Sequence, residues 1–354
     1  MNIPHNKPTI DSHDTQAVLQ TLKSGFIAQG ANVALFENLL SKHTGISRSA
    51  VVSNGTTAIY LSLLALGVKK NDEVILPTYV CSALLNSINL IGAKPVLVDV
   101  DLTDFNIQWN MVDNFLNNKT KAIIVPHIHG IPSIIPSYYK GNISIIEDCC
   151  TAINSSIHGI HIGHQADCAV FSFYATKYIT SGGYGGCISS FDNNLIDRIF
   201  DYREFDCRDV YYPRFNFQIS DIQAAMGVSQ INRVNDFTRR RNEIASVYKQ
   251  FFDEIGIDYQ KPICDGVISN NYRFIIKLER NYRDDFIHYL RLKGVSCIVP
   301  IENKELLHNY LHIDRNRFPN AEKIAATTIS LPIYPLLSEE ELYYIMQTMK
   351  SYFC

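Results

Sequence analysis

Short apolar segments alternate with helical patterns along the middle of this chain of 354 residues. Residues 73–76, 95–98, 122–125 and 143–146 have the composition of buried strands, and helices are expected near 56–66, 80–90 and 109–117. Strands separated by helices usually pair in parallel, because the chain crosses a face of the sheet between them. The alternation therefore predicts an α/β fold with a largely parallel sheet and helices on both faces.

A lysine follows another apolar segment and leads into a glycine-rich turn. Residues 168–173 are apolar and favour a strand, Lys177 comes four residues later, and glycines occupy positions 182, 183, 185 and 186. Glycine allows the backbone to take positive φ and to approach a ligand closely. A lysine presented by a rigid strand can form a Schiff base with an aldehyde. Because a lone lysine on a surface turn is common, its neighbours must decide its role.

Two further features supply such neighbours. The strand at 143–146 runs into Glu147 and Asp148, and adjacent side chains in a strand point to opposite faces, so only one of them need face a ligand. A Gly-Thr-Thr sequence at residues 55–57 opens an apolar helix, whose free N–H groups can bind phosphate. A lysine, an acid and a phosphate-binding helix together are the usual protein equipment for pyridoxal phosphate (PLP).

With these residues in place, the chain resembles the DegT/StrS family of PLP-dependent sugar aminotransferases, which have the aspartate-aminotransferase (fold type I) architecture. The resemblance extends over nearly the whole chain and rests on motifs at residues 24–30, 36–37, 53–58, 71–77, 92–99, 146–149, 172–177, 216–225 and 330–335. It implies a three-layer αβα large domain over residues 1–240, with a mostly parallel sheet, and a smaller α+β domain over residues 241–354. Residues 170–173 and 186–189 resemble the antiparallel strand pair of this fold. The local patterns further predict that Gly67 ends the helix at 56–66, that helices cover 220–244 and about 232–252, and that residues 296–300 form a strand.

The resemblance also assigns the cofactor-binding residues. Lys177 would hold PLP as a Schiff base and, once free, would move a proton between substrate and cofactor. Asp148 would keep the pyridine nitrogen protonated, which makes the ring an electron sink. The backbone N–H groups of Thr56 and Thr57, with the Ser172 hydroxyl, would hold the phosphate.

The implied reaction transfers an amino group, with glutamate as donor, to a keto group of a nucleotide-linked deoxy sugar, at C3 or C4, for surface polysaccharide or secondary-metabolite synthesis. The resemblance further implies that Asn216 reaches the phosphate of the neighbouring subunit's cofactor. The active enzyme would then be a homodimer with shared active sites.

Three positions depart from the family's pattern. Thr151 stands where the family usually has a glutamine that hydrogen-bonds the phenolic oxygen of PLP, and a threonine can still donate, from a shorter arm. Cys81 stands where an aromatic side chain usually stacks on the ring, a contact that Tyr79 could supply instead. Gln218 replaces an arginine.

Two alternative functions stay open at this point: a sugar dehydratase, and a catalytically idle or regulatory protein of the same fold. Known dehydratases on this scaffold replace the lysine with histidine, so Lys177 argues against the first. Thr151 and Cys81 leave the second open. One of His127 and His129 is expected to face the site, since the resembled family has a histidine at position 127; packing of both in the core is the alternative. The histidines at 158, 161 and 164 lie in a hairpin without an acid or cysteine at ligand spacing, so no metal is expected.

Composition excludes other classes. A net charge of −3 argues against a dedicated nucleic-acid surface. The sequence has neither a secretory leader pattern nor an apolar run long enough to span a bilayer, so no membrane association is expected. Its nine cysteines are scattered, without a Cys-x-x-Cys pair, which predicts a reduced, cytoplasmic protein.

Overall fold

A seven-stranded sheet forms the centre of the computed structural model, which describes residues 1–353. The strands, in chain order, are β1 (Arg48–Val52), β2 (Glu73–Pro77), β3 (Lys94–Val98), β4 (Thr120–Pro126), β5 (Ser144–Asp148), β6 (Ser156–Ile157), β7 (Ile160–His161), β8 (Cys168–Ser172), β9 (Gly186–Ser190), β10 (Val267–Ile268), β11 (Phe274–Lys277) and β12 (Thr328–Leu331). The central sheet has the order β1-β9-β8-β5-β4-β2-β3. Only β9 runs antiparallel to its neighbours. The predicted parallel sheet and the β8–β9 antiparallel pair are confirmed.

Both faces of this sheet are covered. Along β2, Val74 and Leu76 pack into one apolar cluster, whereas Ile75 between them packs into another. The same alternation occurs on β4 and β5, because successive side chains of a strand point to opposite faces. Strands buried on both faces need apolar residues at every position, which is why these segments show no polar alternation.

Twelve α-helices surround the sheet and the C-terminal strands in the described part of the chain. They are α1 (Ser12–Ser24), α2 (Ala31–Thr44), α3 (Gly55–Ala65), α4 (Ala83–Ile91), α5 (Trp109–Val112), α6 (Asn193–Arg203), α7 (Asp221–Ile231), α8 (Val234–Ile255), α9 (Arg280–Leu292), α10 (Leu307–Tyr310), α11 (Pro319–Thr327) and α12 (Glu339–Phe353). The predicted stop of α3 at Gly67 is confirmed, since Gly67 has a φ of +79° just past the helix end.

The structure shortens or divides three predicted elements. The helix expected over 109–117 is α-helical only to Val112 and continues as one 3₁₀ turn over Asp113–Phe115. It stops before Asn117, whose side chain accepts a hydrogen bond from the N–H of Lys119, a bond that competes with a helix. The helix expected over 220–244 ends at Ile231 as α7, and the long helix expected over about 232–252 is α8, although neither glycine nor proline marks the break at residues 232–233. The strand expected over 296–300 is reduced to one bridge, between Ile298 and Ser330.

The C-terminal part of the chain builds its own core. Strands β11 and β12 pair antiparallel, and side chains from α8, α9 and α12 pack with them in a single cluster. Ile3, from the other end of the chain, is fully buried in the same cluster. Helix α8 passes residue 240 without interruption, and the division into domains at this residue stays a prediction. No helix within residues 1–353 is both long and apolar enough to cross a membrane.

Candidate active site

A pocket of about 790 Å³ opens at the carboxyl ends of three neighbouring strands. Pro126 ends β4, Asp148 ends β5 and Ser172 ends β8, and all three line the pocket. Ligands of α/β proteins bind at this edge of the sheet. The predicted site residues that line the pocket are Thr56, Thr57, Cys81, Asp148, Thr151, Ser172 and Lys177. Two others, Tyr79 and Asn216, do not line it.

Lys177 is carried by a tight turn that follows β8. Its N–H donates to the carbonyl of Tyr174 at 2.9 Å, and the N–H of Ala175 donates to the carbonyl of Gly183 at 3.1 Å. Gly183 has a φ of +106°, which favours glycine at this position. The side chain is half-buried in the pocket wall, and its amine has no carboxylate within ion-pair distance among residues 1–353. The turn therefore presents an unpaired amine to the pocket.

The charge state of Lys177 is coupled to Tyr272. The Lys177 amine lies 5.8 Å from the centre of the Tyr272 ring. Burial by itself lowers the pKa of Lys177, but Tyr272, together with Cys150 and Asp148, outweighs burial and raises it above the usual value. Burial conversely raises the pKa of Tyr272, and Lys177 and Arg273 outweigh it and lower that pKa.

Asp148 and Glu147 point in opposite directions, as expected for neighbours in a strand. Asp148 faces the pocket, and its Oδ1 accepts a hydrogen bond from the N–H of Cys150 at 3.0 Å. Glu147 is fully buried behind the strand and accepts from Nε2 of His127 at 3.1 Å. Burial alone raises the pKa of Glu147, but the bond from His127 outweighs it and holds the pKa below its usual value. Only Asp148 is available to a ligand.

The start of α3 forms a cradle against Ser172. A Cβ atom added to Gly55 would lie 2.9 Å from Cβ of Ser172, so the close approach requires glycine at this position. The N–H of Thr57 donates to the side chain of Asn54 at 2.8 Å, which caps the helix. The free donors at this end are therefore the N–H groups of Gly55 and Thr56 and the Ser172 hydroxyl, for which residues 1–353 supply no acceptor.

The three departures from the family's pattern have different environments. The Thr151 hydroxyl donates to the carbonyl of His127 at 2.9 Å, so its proton is already engaged. Cys81 is an exposed free thiol on the pocket wall, whereas Tyr79 is fully buried behind the wall, 5.9 Å from the ring of Phe105. The side chain of Gln218 donates to Glu204 at 2.7 Å, outside the pocket.

Of the two histidines after β4, His129 faces the pocket and His127 does not. Nδ1 of His127 accepts from the N–H of Ser133 at 3.0 Å, so its Nε2 carries the proton that it donates to Glu147. His129 is buried, has a φ of +57°, and its Nε2 is without a hydrogen-bond partner among the described residues. Burial first, then Arg273 and Lys177, lower the pKa of His129 well below its usual value, so its imidazole is neutral.

Sequence motifs did not reveal two other pocket residues, Tyr272 and Arg273. A buried asparagine, Asn270, brings their segment to the site: its amide donates to the carbonyls of Thr151 at 3.1 Å and Ile153 at 2.8 Å, and its Oδ1 accepts from the N–H of Tyr272 at 2.9 Å. An isolated Asn-Asn-Tyr-Arg sequence far from the lysine carries no signal of this proximity.

The hairpin histidines make separate local contacts. His164 lies 2.8 Å from the carbonyl of Thr44, and the ring of His161 lies 5.0 Å from that of His43. Within residues 1–353, no three potential ligands among histidine, cysteine and acidic side chains are close enough to hold a metal ion.

Comparison with known proteins adds to this geometry. The model of the DegT/DnrJ/EryC1/StrS aminotransferase family matches residues 8–350. The chain belongs to this family. GDP-perosamine synthase of Escherichia coli O157:H7 is 29% identical over 366 residues, covering 99% of this chain and 98% of that protein. The dTDP-3-amino-3,6-dideoxy-alpha-D-galactopyranose transaminase of Aneurinibacillus thermoaerophilus is 30% identical over 351 residues, covering 95% and 94%.

Among solved structures, the PLP form of a sugar aminotransferase from Streptococcus pneumoniae superposes with a TM-score of 0.90, at 26% identity, covering 99% of this chain and 98% of that one. DegT-family aminotransferases depend on PLP. The predictions of family, fold, enzyme class and cofactor are therefore confirmed.

The residues of the pocket fit this cofactor. The cradle at Gly55 and Ser172 has three unpaired donors for a phosphate, Asp148 can face a ring nitrogen, and the Lys177 amine is free for an aldehyde. When bound, PLP supplies an electron sink for carbanion chemistry at the substrate.

Proposed function

We propose that this DegT-family protein transfers an amino group from an amino-acid donor, glutamate, to a keto group of a nucleotide-linked deoxy sugar. One observation carries the proposal: an unpaired lysine, an ionisable carboxylate and the free N–H groups of a helix start converge on one pocket at the carboxyl edge of the sheet. Its volume of about 790 Å³ is in the range of pockets that enclose a cofactor and a substrate.

We propose distinct roles for the residues of the pocket. Lys177 holds the cofactor and, once its amine is free, moves a proton at the α-carbon of the donor. Asp148 keeps a proton on the ring nitrogen. The N–H groups at the start of α3, from Gly55 and Thr56, bind the phosphate together with Ser172. Thr57 contributes through its position in this turn rather than through its N–H, which Asn54 already occupies.

The sugar class follows from the relatives. One relative is a GDP-perosamine synthase and another is a transaminase of a dTDP-linked 3-amino-3,6-dideoxy sugar, so relatives with two different nucleotides both act in the chemistry of nucleotide-linked sugars. A third is a spore coat polysaccharide biosynthesis protein, which supports a place in polysaccharide synthesis. A dehydratase is disfavoured, since dehydratases on this scaffold replace the lysine with histidine and this chain has Lys177.

We further propose a homodimer with shared active sites. Asn216 is exposed and does not line the pocket of its own chain, although its neighbour Phe217 does, so its amide is free for a second copy. Large apolar side chains nearby in sequence are also exposed, with Tyr211 92% and Val210 68% accessible. Such exposure is typical of an interface.

The eight described cysteines are all free, which supports a reducing, cytoplasmic location.

A turnover assay tests the proposal. The purified protein is incubated with PLP, L-glutamate and 3-keto or 4-keto deoxyhexoses linked to GDP or dTDP, and 2-oxoglutarate is measured. One 2-oxoglutarate should appear for each amino sugar, and Lys177→Ala should form neither. Bound PLP without turnover on any of these ketones would favour the idle alternative, and loss of water from the sugar without amine transfer would favour a dehydratase.

A further inference from the structure

Arg273 is a cation in the pocket wall without a counter-charge. Its side chain is half-buried, and no carboxylate within residues 1–353 lies within ion-pair distance of it. Its one hydrogen-bond contact is at 3.3 Å, from Nη1 to Nε2 of His5, which in turn lies 2.9 Å from the Ser330 hydroxyl. Burial first, then Arg273, lower the pKa of His5 to about 3, so this partner is neutral.

Other sequestered arginines of the chain are satisfied by the protein. Arg203 forms an ion pair with Glu37 at 2.6 Å. Arg241 is fully buried and donates to the carbonyls of Ile333 at 2.9 Å and Tyr272 at 3.0 Å. Arg273 has neither kind of partner and opens on the pocket. An unpaired guanidinium in a partly desolvated wall is costly to hold, and it gains most from an anion that can accept two of its N–H groups.

Neither of the two acids that line the pocket, Asp148 and Glu305, is a counter-charge of Arg273. Oδ1 of Asp148 accepts from the N–H of Cys150, and Oε2 of Glu305 accepts from the N–H of Glu302 at 2.9 Å. Neither forms an ion pair with Arg273. The anion that would neutralise Arg273 is therefore supplied from outside the chain.

Resting on the proposed function, we infer that Arg273 binds the α-carboxylate of the amino-acid donor. The Cζ atom of Arg273 lies 5.4 Å from the centre of the Tyr272 ring, and the Lys177 amine lies 5.8 Å from the same point. The donor's amine takes the place of the Lys177 amine, and the donor's α-carboxylate is attached to the carbon that bears this amine. That carboxylate consequently lies in the part of the pocket that Arg273 shares with Lys177, and a planar guanidinium binds it bidentately.

A matched pair of reagents isolates carboxylate recognition from the chemistry at Lys177. Aminooxyacetate and methoxyamine both displace the lysine from PLP through an aminooxy nitrogen, but only aminooxyacetate carries a carboxylate. Second-order rate constants for both are measured from the visible absorbance of the PLP-loaded protein. The variants are Arg273→Gln, Arg273→Lys, which keeps the charge without the fork, and the surface control Arg239→Gln, whose side chain is 68% exposed.

For Arg273→Gln, the rate constant with aminooxyacetate should fall roughly 10- to 100-fold, the usual effect of losing a charge-assisted pair, while that with methoxyamine changes less than about threefold. Arg273→Lys should be intermediate, and Arg239→Gln should match the wild type. An unchanged ratio of the two rate constants in Arg273→Gln, whether both stay the same or both fall equally, would overturn the inference.

The failure of the proposed function would look different. If the wild-type protein with PLP formed no visible band and did not react with methoxyamine, Lys177 would not hold the cofactor, and the inference about Arg273 would end with it. If Arg273 instead bound the pyrophosphate of the sugar nucleotide, Arg273→Gln would raise the KM for the nucleotide sugar and leave the reagent ratio unchanged. That result also overturns the inference.

Discussion

The Lys177 amine lies 5.8 Å from the centre of the Tyr272 ring, in the wall of the pocket. A lysine attacks an aldehyde only as the neutral amine, and Tyr272 raises the pKa of Lys177. Removing the tyrosine hydroxyl should therefore lower that pKa. We expect Tyr272→Phe to shift the pH midpoint for PLP uptake by the cofactor-free protein to a lower pH, measured by the growth of visible absorbance.

The control for this prediction is Tyr343→Phe, at a tyrosine on α12 that is 66% exposed. Its midpoint should equal that of the wild type. A midpoint that stays fixed or rises in Tyr272→Phe would contradict the coupling of the two groups.

Substitution of the adjacent acids should affect different properties: the rate for Asp148 and the stability for Glu147. Asp148→Asn removes a charge that faces the pocket, so the rate of transamination should fall roughly 100-fold or more while the melting temperature changes little. Glu147→Gln weakens a fully buried pair with His127, so the free energy of unfolding should fall by about 1–3 kcal/mol while the folded protein keeps its rate. Thermal melting and initial rates on both variants test this. A slow, stable Glu147→Gln would show that the two faces are assigned the wrong way round.

At the scale of elements, an acid on α1 joins that helix to α7. Asp14 is fully buried and accepts from Arg233 at 2.6 Å and from Gln230 at 2.9 Å, and Arg233 also contacts Asp11. Burial alone raises the pKa of Asp14, but these bonds, led by that of Arg233, outweigh it and lower the pKa below its usual 3.8. Because folding lowers this pKa, the ionised Asp14 contributes its full stabilisation at pH values above 3.8. The contribution is lost as the pH falls through the pKa of the folded state.

Asp14→Asn should therefore lower the free energy of unfolding by roughly 1.5–3 kcal/mol at pH 7. The difference from the wild type should shrink as the pH is lowered towards 3. Denaturant titrations at several pH values measure it, with Asp236→Asn as control, since the Asp236 carboxylate is 70% exposed and its loss should cost less than about 0.5 kcal/mol. A difference that grows on acidification would contradict the assignment.

Elements were predictable where a regular pattern lay in the local sequence. The central strands and α3 follow from continuous apolar runs and a glycine stop, and these predictions hold. The break at residues 232–233 has no local breaker, and the loss of a strand near Ile298 depends on a partner far away: the N–H of Ser296 donates to the carbonyl of Ile3. Contacts between distant segments cannot be deduced from periodicity alone.

The residues of the site divide in the same way into those with a local sequence signal and those without one. Lys177, Asp148 and the start of α3 each follow an element with a clear pattern, so their convergence could be predicted from topology. Arg273 and Tyr272 reach the pocket through Asn270, which bonds to the backbone of residues 151 and 153 more than a hundred positions earlier. His129 faces the pocket with its backbone in the left-handed conformation, and no local sequence pattern predicts that conformation at this position.

At the scale of the whole molecule, the proposed shared sites predict complementation. Lys177→Ala has no amine to hold PLP, and Asn216→Ala lacks the contact to the neighbouring site. In a mixed dimer of these two variants, one site combines both defects and the other has neither. Unfolding and refolding the variants together should restore activity that neither shows alone, up to about half of the wild-type rate per mixed dimer. Mixtures no more active than the sum of the separate variants would contradict shared sites.

Trapping the cofactor on its lysine tests most directly whether Lys177 holds PLP. The purified protein is mixed with PLP, its visible spectrum is recorded, and the complex is reduced with borohydride, digested and mapped by mass spectrometry. We expect a yellow complex whose reduced PLP is attached to Lys177, in the peptide that follows β8, and whose colour fades when L-glutamate is added before reduction. A colourless mixture, or a label on any other lysine, would contradict this expectation.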